Sequence, residues 1–156
     1  MMSSIHGILA DVVWPALYLE ARLRSVLPIT VGLVIECLAL RYGFRLSWGK
    51  ALLVDVVMNL VSALVGMVLI PLGGLGWEFT GGAILHQHFG VGTFSATTWV
   101  LTFIGAVIVT SLIEAGVILW PFRIPLDRRR LAILFAANGL SVGVAFASLF
   151  IHPISR

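Results

Sequence analysis

Two acidic residues interrupt long apolar stretches, Glu36 and Glu114. An ionised carboxylate at membrane depth costs several kcal/mol unless it is paired, hydrated or protonated. Glu36 is followed 23 positions later by Asn59, and Glu114 is followed 24 positions later by Asn138. Asp55, Asn59, Ser62 and Gly66 recur at i, i+4, i+7 and i+11, so they share one face of a helix. Asn138, Ser141, Ala145 and Ser148 do the same. Gly32 lies one turn from Glu36, and Thr110 and Ser111 lie one turn from Glu114, supplying small or hydroxylated neighbours. Glu36, Asp55, Asn59, Ser62, Glu114, Asn138 and Ser141 are therefore expected to form an intramembrane polar seam. Two chemistries suit such a seam. Glu36 and Glu114 can titrate in an ion or proton pathway, or they can accept hydrogen bonds that fix helix register, because Asn and Ser are common interhelical glue. The structural role is the simpler of the two.

The second candidate constellation is His6, His86, His88 and His152, with Asp11, Glu20 and Glu78 nearby in topology. Imidazole with carboxylate suits Zn²⁺ or Cu²⁺. A lone His-x-His pair chelates only in a strand or turn, so interfacial, solvated histidines are the plainer expectation. No resident cofactor can be named. A haem would need His on facing helices, and only His152 lies near an apolar stretch.

The elements that would carry these residues are set by composition. Of 156 residues, 60% are hydrophobic and 11% charged, against about 25% charged in soluble domains. Four stretches approach the roughly 20 apolar residues that cross a bilayer: 26–40, 51–72, 94–120 and 131–151. Open sheet edges are intolerable in lipid, and barrel-type alternation is absent, so the class is all-α. The expected architecture is an integral membrane bundle of four transmembrane helices. The first 25 residues mix His6, Asp11, Pro15 and Glu20 with Trp14 and Tyr18, which suits an interfacial or re-entrant helix. They lack a basic n-region, so no cleavable signal is expected.

The halves repeat one another. Ile35-Glu36, a basic loop and Asn59-Leu60-Val61-Ser62 match Ile113-Glu114, a basic loop and Asn138-Gly139-Leu140-Ser141. Two tandem helical hairpins are expected, over 26–72 and 94–152, joined by a Gly-rich loop over 73–93. Two helices per copy imply a pseudo-two-fold along the membrane normal. The loops 41–50 and 121–130 hold seven basic residues, whereas 73–93 has no Lys or Arg. The positive-inside rule puts the two basic loops in the cytoplasm, with the middle loop and the C-terminus outside, as in a bacterial inner membrane.

Several functions are excluded or unsupported. No basic patch interleaved with aromatics points to nucleic acid. No Gly-x-Ser-x-Gly, His-Glu-x-x-His or Walker pattern is present, so no catalytic residue is assigned. Cys37 is the only cysteine and reads as a small buried hydrophobe. Gly139, Gly143 and Ala147 form a small-residue stripe suited to a membrane-protein partner, a second copy or packing within the bundle. The Glu in the first span resembles the layout of small multidrug-type exporters, but the length, the middle loop and the aromatic pattern differ from theirs, and no family is assigned. The leading expectation is a non-catalytic subunit or accessory protein of a membrane complex. The alternatives are a small transporter or channel-like protein using the seam, and an outward-facing metal binder using the histidines. A cavity reaching Glu36 and Glu114 would favour transport.

Overall fold

A computed structural model describes residues 26–77, 80 and 96–151. The described residues are all-helical, without strands. Helix α1 is Val26–Leu38, continued by a π-helical turn over Ala39–Gly43. Helix α2 is Trp48–Trp77, α3 is Ala96–Leu119 and α4 is Arg128–Ile151. Three segments are long and apolar enough to cross a membrane: Trp48–Leu69, Thr98–Leu119 and Arg128–Ser148. Only 28% of each is buried inside the protein, so most of their apolar surface faces outward, as lipid tails require. Helix α1, at 13 residues, spans about 20 Å and is shorter than the roughly 30 Å hydrocarbon layer. The expected N-terminal helix over 1–25 and most of the 73–93 loop lie outside the described residues.

The helix ends depart from the sequence reading in two places. The middle loop was expected to start at Gly73, yet α2 continues through Gly73, Gly74 and Gly76 to Trp77. Each Gly costs about 1 kcal/mol of helix propensity relative to Ala. Leaving backbone N–H and C=O groups unpaired in apolar surroundings costs more per group, so the helical ladder persists. Helix α4 starts at Arg128, ahead of the apolar run, because Asp127 caps it. The Asp127 carboxylate accepts the Arg130 backbone N–H at 2.7 Å, satisfying one of the first-turn donors.

The turn between α1 and α2 (44–47) and the turn between α3 and α4 (120–127) share one construction. Arg45 and Arg123 both adopt positive φ, 58° and 51°. Each is followed by an apolar residue whose N–H returns six positions to a helical carbonyl. Leu46 donates to Leu40 at 3.4 Å and Ile124 donates to Ile118 at 3.1 Å. A left-handed residue past a helix end turns the chain back so that the next N–H can reach an orphan carbonyl. The aromatic residue before each Arg, Phe44 or Phe122, packs into the core beside these bonds. Arg41 adds a brace, donating to the Leu46 carbonyl at 3.0 Å, with its guanidinium 5.5 Å from the Tyr42 and Trp48 ring centres.

The four helices form a ring. Helix α1 packs most extensively on α4 and α2 on α3; α3 also lines α4, while α1 and α2 touch least of the adjacent pairs. Two cores fill the interior. At the basic end, Leu40, Phe44, Val54, Met58, Ile118 and Leu134 belong to one buried cluster. Toward the opposite end, Val142 and Ala145 pack with Phe103, Val107 and Phe146, joining α3 to α4. Phe146 also meets Trp99, with ring centres 5.9 Å apart. No equivalent aromatic cluster joins α1 to α2 there among the described residues.

Close helix approach is set at glycines other than the expected stripe. A Cβ on Gly32 would overlap the Ser141 hydroxyl of α4, and one on Gly43 would lie 2.8 Å from a methyl of Ile133. A Cβ on Gly139 would meet nothing within 4 Å, and one on Gly143 would only touch Phe103 at 4.0 Å. The stripe of Gly139, Gly143 and exposed Ala147 is thus not a tight helix contact within this bundle.

Candidate functional site

Each helix contributes to one polar centre between the two cores. Helix α1 carries Glu36, α2 carries Asp55, Asn59 and Ser62, α3 carries Thr110 and Glu114, and α4 carries Asn138 and Ser141. Glu36, Asp55, Glu114 and Asn138 are each at most 2% exposed. Burial this complete demands partners for every polar atom, and most are present. Asn59 Nδ2 donates to Glu36 Oε2 at 2.6 Å, and Asn138 Nδ2 donates to Glu114 Oε2 at 2.5 Å. Each bond ties the two helices of one hairpin. The asparagines also donate to carbonyls one turn back, Asp55 at 3.1 Å and Leu134 at 3.3 Å, which holds their amides in place.

The two centres differ in their second partners. Glu36 has a further hydrogen bond from Ser141 of the other hairpin. Asn59 is shared, because its Nδ2 also lies 3.3 Å from Asp55 Oδ1. The second Asp55 oxygen is buried without a hydrogen-bond partner, as is the Ser111 hydroxyl. Ser62 donates to the Asn59 carbonyl at 3.2 Å and so stays on its own helix. The carboxyl groups of Glu36, Asp55 and Glu114 lie near enough to feel one another's charge. Among the described residues no Lys or Arg pairs with any of them; Arg41 and Arg130 are engaged at the turns.

A cavity of about 380 Å³ opens directly against this centre. Its polar floor includes Glu36, Asn59, Thr110, Glu114, Asn138 and Ser141. Its walls are apolar: Pro28, Ile29 and Leu33 from α1, and Val56, Leu60, Ala63 and Met67 from α2. Of the seven expected seam residues, six line the cavity. Asp55 does not, and sits behind Asn59 in the core. The wall residues Ile29, Val56, Leu60 and Met67 are 44–59% exposed, so the cavity is open on its α1–α2 side. On the α4 side the lining includes Val142, which packs with Phe103 and Phe146.

His6, His86, His88 and His152 all lie outside the described residues. Among the described residues no group of three or more His, Cys, Asp or Glu is arranged to hold a metal ion. Two features escaped the sequence reading. Phe44-Arg45-Leu46 and Phe122-Arg123-Ile124 are a matched tripeptide 78 positions apart, the same separation as Glu36 and Glu114. The apolar wall was also missed, because its residues look like any lipid-facing positions in the sequence. An all-helical chain with membrane-length apolar helices and a carboxylate–amide cavity is the class that fold and site define. Comparison with known proteins finds no matching family model, and no significant match among curated proteins or solved structures.

Proposed function

We propose that this chain is a four-span integral membrane protein, built from two tandem helical hairpins, that acts as a small transporter with its binding site at Glu36 and Glu114. In this reading α1, continued by the π turn, is the fourth span. The basic turns face the cytoplasm, following the positive-inside rule. The shared Phe-Arg-Leu/Ile turns with left-handed Arg45 and Arg123, together with the paired Glu–Asn bonds, support the duplication. The extra residue of the second half falls between Ile124 and Asn138.

The observation that carries transport is the cavity reaching both glutamates. A purely structural seam needs no open volume beside it. Carboxylates held in apolar surroundings without Lys or Arg require compensating positive charge, from protons or from a bound cation. A site that exchanges one for the other couples the movement of both.

The test is flux in proteoliposomes carrying an internal proton-sensitive dye. With alkali and organic cations supplied on the opposite side as exchange partners, wild type is expected to dissipate an imposed proton gradient faster than protein-free vesicles. Glu36→Gln with Glu114→Gln is expected to abolish that flux while keeping the helical circular-dichroism spectrum, since Gln still accepts from Asn59 and Asn138. Wild-type flux equal to that of empty vesicles would refute the reading. The satisfied Glu–Asn bonds also favour a second reading, a non-catalytic subunit of a membrane complex in which the glutamates only hold the helices. Under that reading wild type carries no flux, and Glu36→Ala with Glu114→Ala, which removes both acceptors, loses folded protein.

A further inference from the structure

The geometry points to the cargo class: we propose that the cavity binds an amphiphilic organic monocation, which reaches Glu36 and Glu114 sideways from the bilayer between α1 and α2. This rests on the transporter reading and adds the substrate and its route.

Size and lining decide against a hard divalent ion. Hard divalent cations take about six to eight oxygen ligands at roughly 2.0–2.6 Å. No such acidic cluster exists among the described residues. The cavity of about 380 Å³ lies instead in the range of small-molecule sites, roughly 300–1,000 Å³, which are mostly apolar with a few convergent polar groups. Charge decides the head group. Two carboxylates face the cavity floor with asparagine and hydroxyl neighbours, and no Lys or Arg lines it among the described residues. An ammonium fits there and an anion does not. A zwitterionic lipid head would also need a cation for its phosphate, and the described lining supplies none. The apolar body of the ligand then lies along Ile29, Leu33, Leu60 and Met67.

The route follows from packing. On the α3–α4 side the lining residue Val142 is packed against Phe103 and Phe146. Helices α1 and α2 make the slightest contact in the ring, and the cavity walls they supply are already exposed. A molecule with an apolar body concentrates in the bilayer, so lateral entry meets it where it is most abundant.

The test uses benzyltrimethylammonium and its uncharged carbon isostere neopentylbenzene, with binding read by saturation-transfer NMR on the full chain in phosphatidylglycerol nanodiscs. Wild type is expected to bind the cation at least about tenfold more tightly than the isostere. Glu36→Gln with Glu114→Gln is expected to remove that preference. Ala63→Trp, which fills the mouth from an exposed position, is expected to block both ligands while the helical spectrum stays unchanged. Equal binding of cation and isostere, or no binding of either, overturns the proposal. Displacement of the bound cation by added phosphatidylethanolamine also overturns it, because a lipid amine would then be the natural occupant. Carboxylate-dependent proton flux without probe binding removes the cargo class and leaves the transporter reading standing. Probe binding without flux keeps the site and removes transport.

Discussion

Asn138→Ala offers the sharpest test of how the centre is held. Asn138 is the side-chain donor to Glu114, and both residues are at most 2% exposed. Interhelical polar bonds in membranes average about 0.6 kcal/mol and rarely exceed about 1.7. Orphaning a buried acceptor costs about 1–3 kcal/mol, because nothing replaces the lost donor. Burial here is nearly complete, so the second effect wins and a loss of about 2 kcal/mol is expected, roughly a 30-fold fall in the folding equilibrium. Asn59→Ala is expected to cost about half as much, since Glu36 keeps its bond from Ser141. Unfolding equilibria in mixed micelles, followed by far-ultraviolet circular dichroism, would measure both. A double-mutant cycle of Asn138→Ala with Glu114→Ala separates the pair from the cavities that truncation leaves. The double variant is expected to be more stable than the sum of the singles by about 1–2 kcal/mol, because it removes the orphan together with its donor. Additivity of the singles within about 0.5 kcal/mol, or equal costs for Asn59 and Asn138, would refute this account.

Three further outcomes follow from the packing. Gly32→Ala is expected to destabilise by about 1–3 kcal/mol through overlap with Ser141, whereas Gly139→Ala meets open space and is expected to be neutral or to gain up to about 1 kcal/mol from helix propensity; reversed signs in the same unfolding assay would show that the α1–α4 approach is misread. Asp127→Ala removes the cap on α4 and is expected to cost about 1 kcal/mol, while Asp127→Asn, which keeps a side-chain acceptor, is expected to cost a few tenths. Arg45→Gly and Arg123→Gly each relieve a left-handed backbone and are expected to raise stability by up to about 1 kcal/mol; a loss at both positions would mean that the guanidinium groups matter more than the backbone.

The all-helical class was legible from composition and span length alone, because lipid leaves the backbone few choices. Much of the candidate centre was legible for the same reason. In so apolar a chain, a polar residue inside a span is expensive, and the few present had to face inward. The Glu–Asn spacing read as a repeat, and that each Glu takes its Asn rather than a Ser or an interfacial Arg is visible only in the geometry. What stayed hidden depends on shape. Nothing in the types of Ile29, Leu60 or Met67 separates a cavity wall from a lipid-facing surface, since both are apolar. Helix propensity misplaced the end of α2, where glycines that read as a loop are carried by the ladder of an apolar helix. Gly32, marked in the sequence as a small neighbour of Glu36, is one of the tight approaches, whereas the other, Gly43, carries no motif and the stripe at Gly139 and Gly143 makes no tight contact within the bundle.

The unequal packing of the ring bears on how such a protein would move. Parallel repeats in transporters commonly rock as rigid halves about a central site. Here the most extensive contacts, α1 with α4 and α2 with α3, run between the proposed halves and lock them together. The weak seam lies inside the first hairpin, between α1 and α2. The side-chain hydrogen bond that crosses this seam at the centre is Asn59 to Glu36. A cation that takes up the Glu36 carboxylate competes with Asn59 for it, and so weakens the tie that holds α1 to α2. Asp55, which has no acidic counterpart in the second half, lies beside Asn59 with an unpartnered oxygen and offers the released amide a second acceptor. Site occupancy and the width of the lateral opening are then linked through one asparagine. In the proposed transporter the second hairpin, where Asn138 holds Glu114 and Phe103 and Phe146 pack with Val142 and Ala145, would be the fixed wall. Asn59→Ala should accordingly widen access to the cavity, raising the on-rate of the ammonium probe, whereas Asn138→Ala should lower stability without changing that rate. Equal on-rates in both variants would place the moving seam elsewhere.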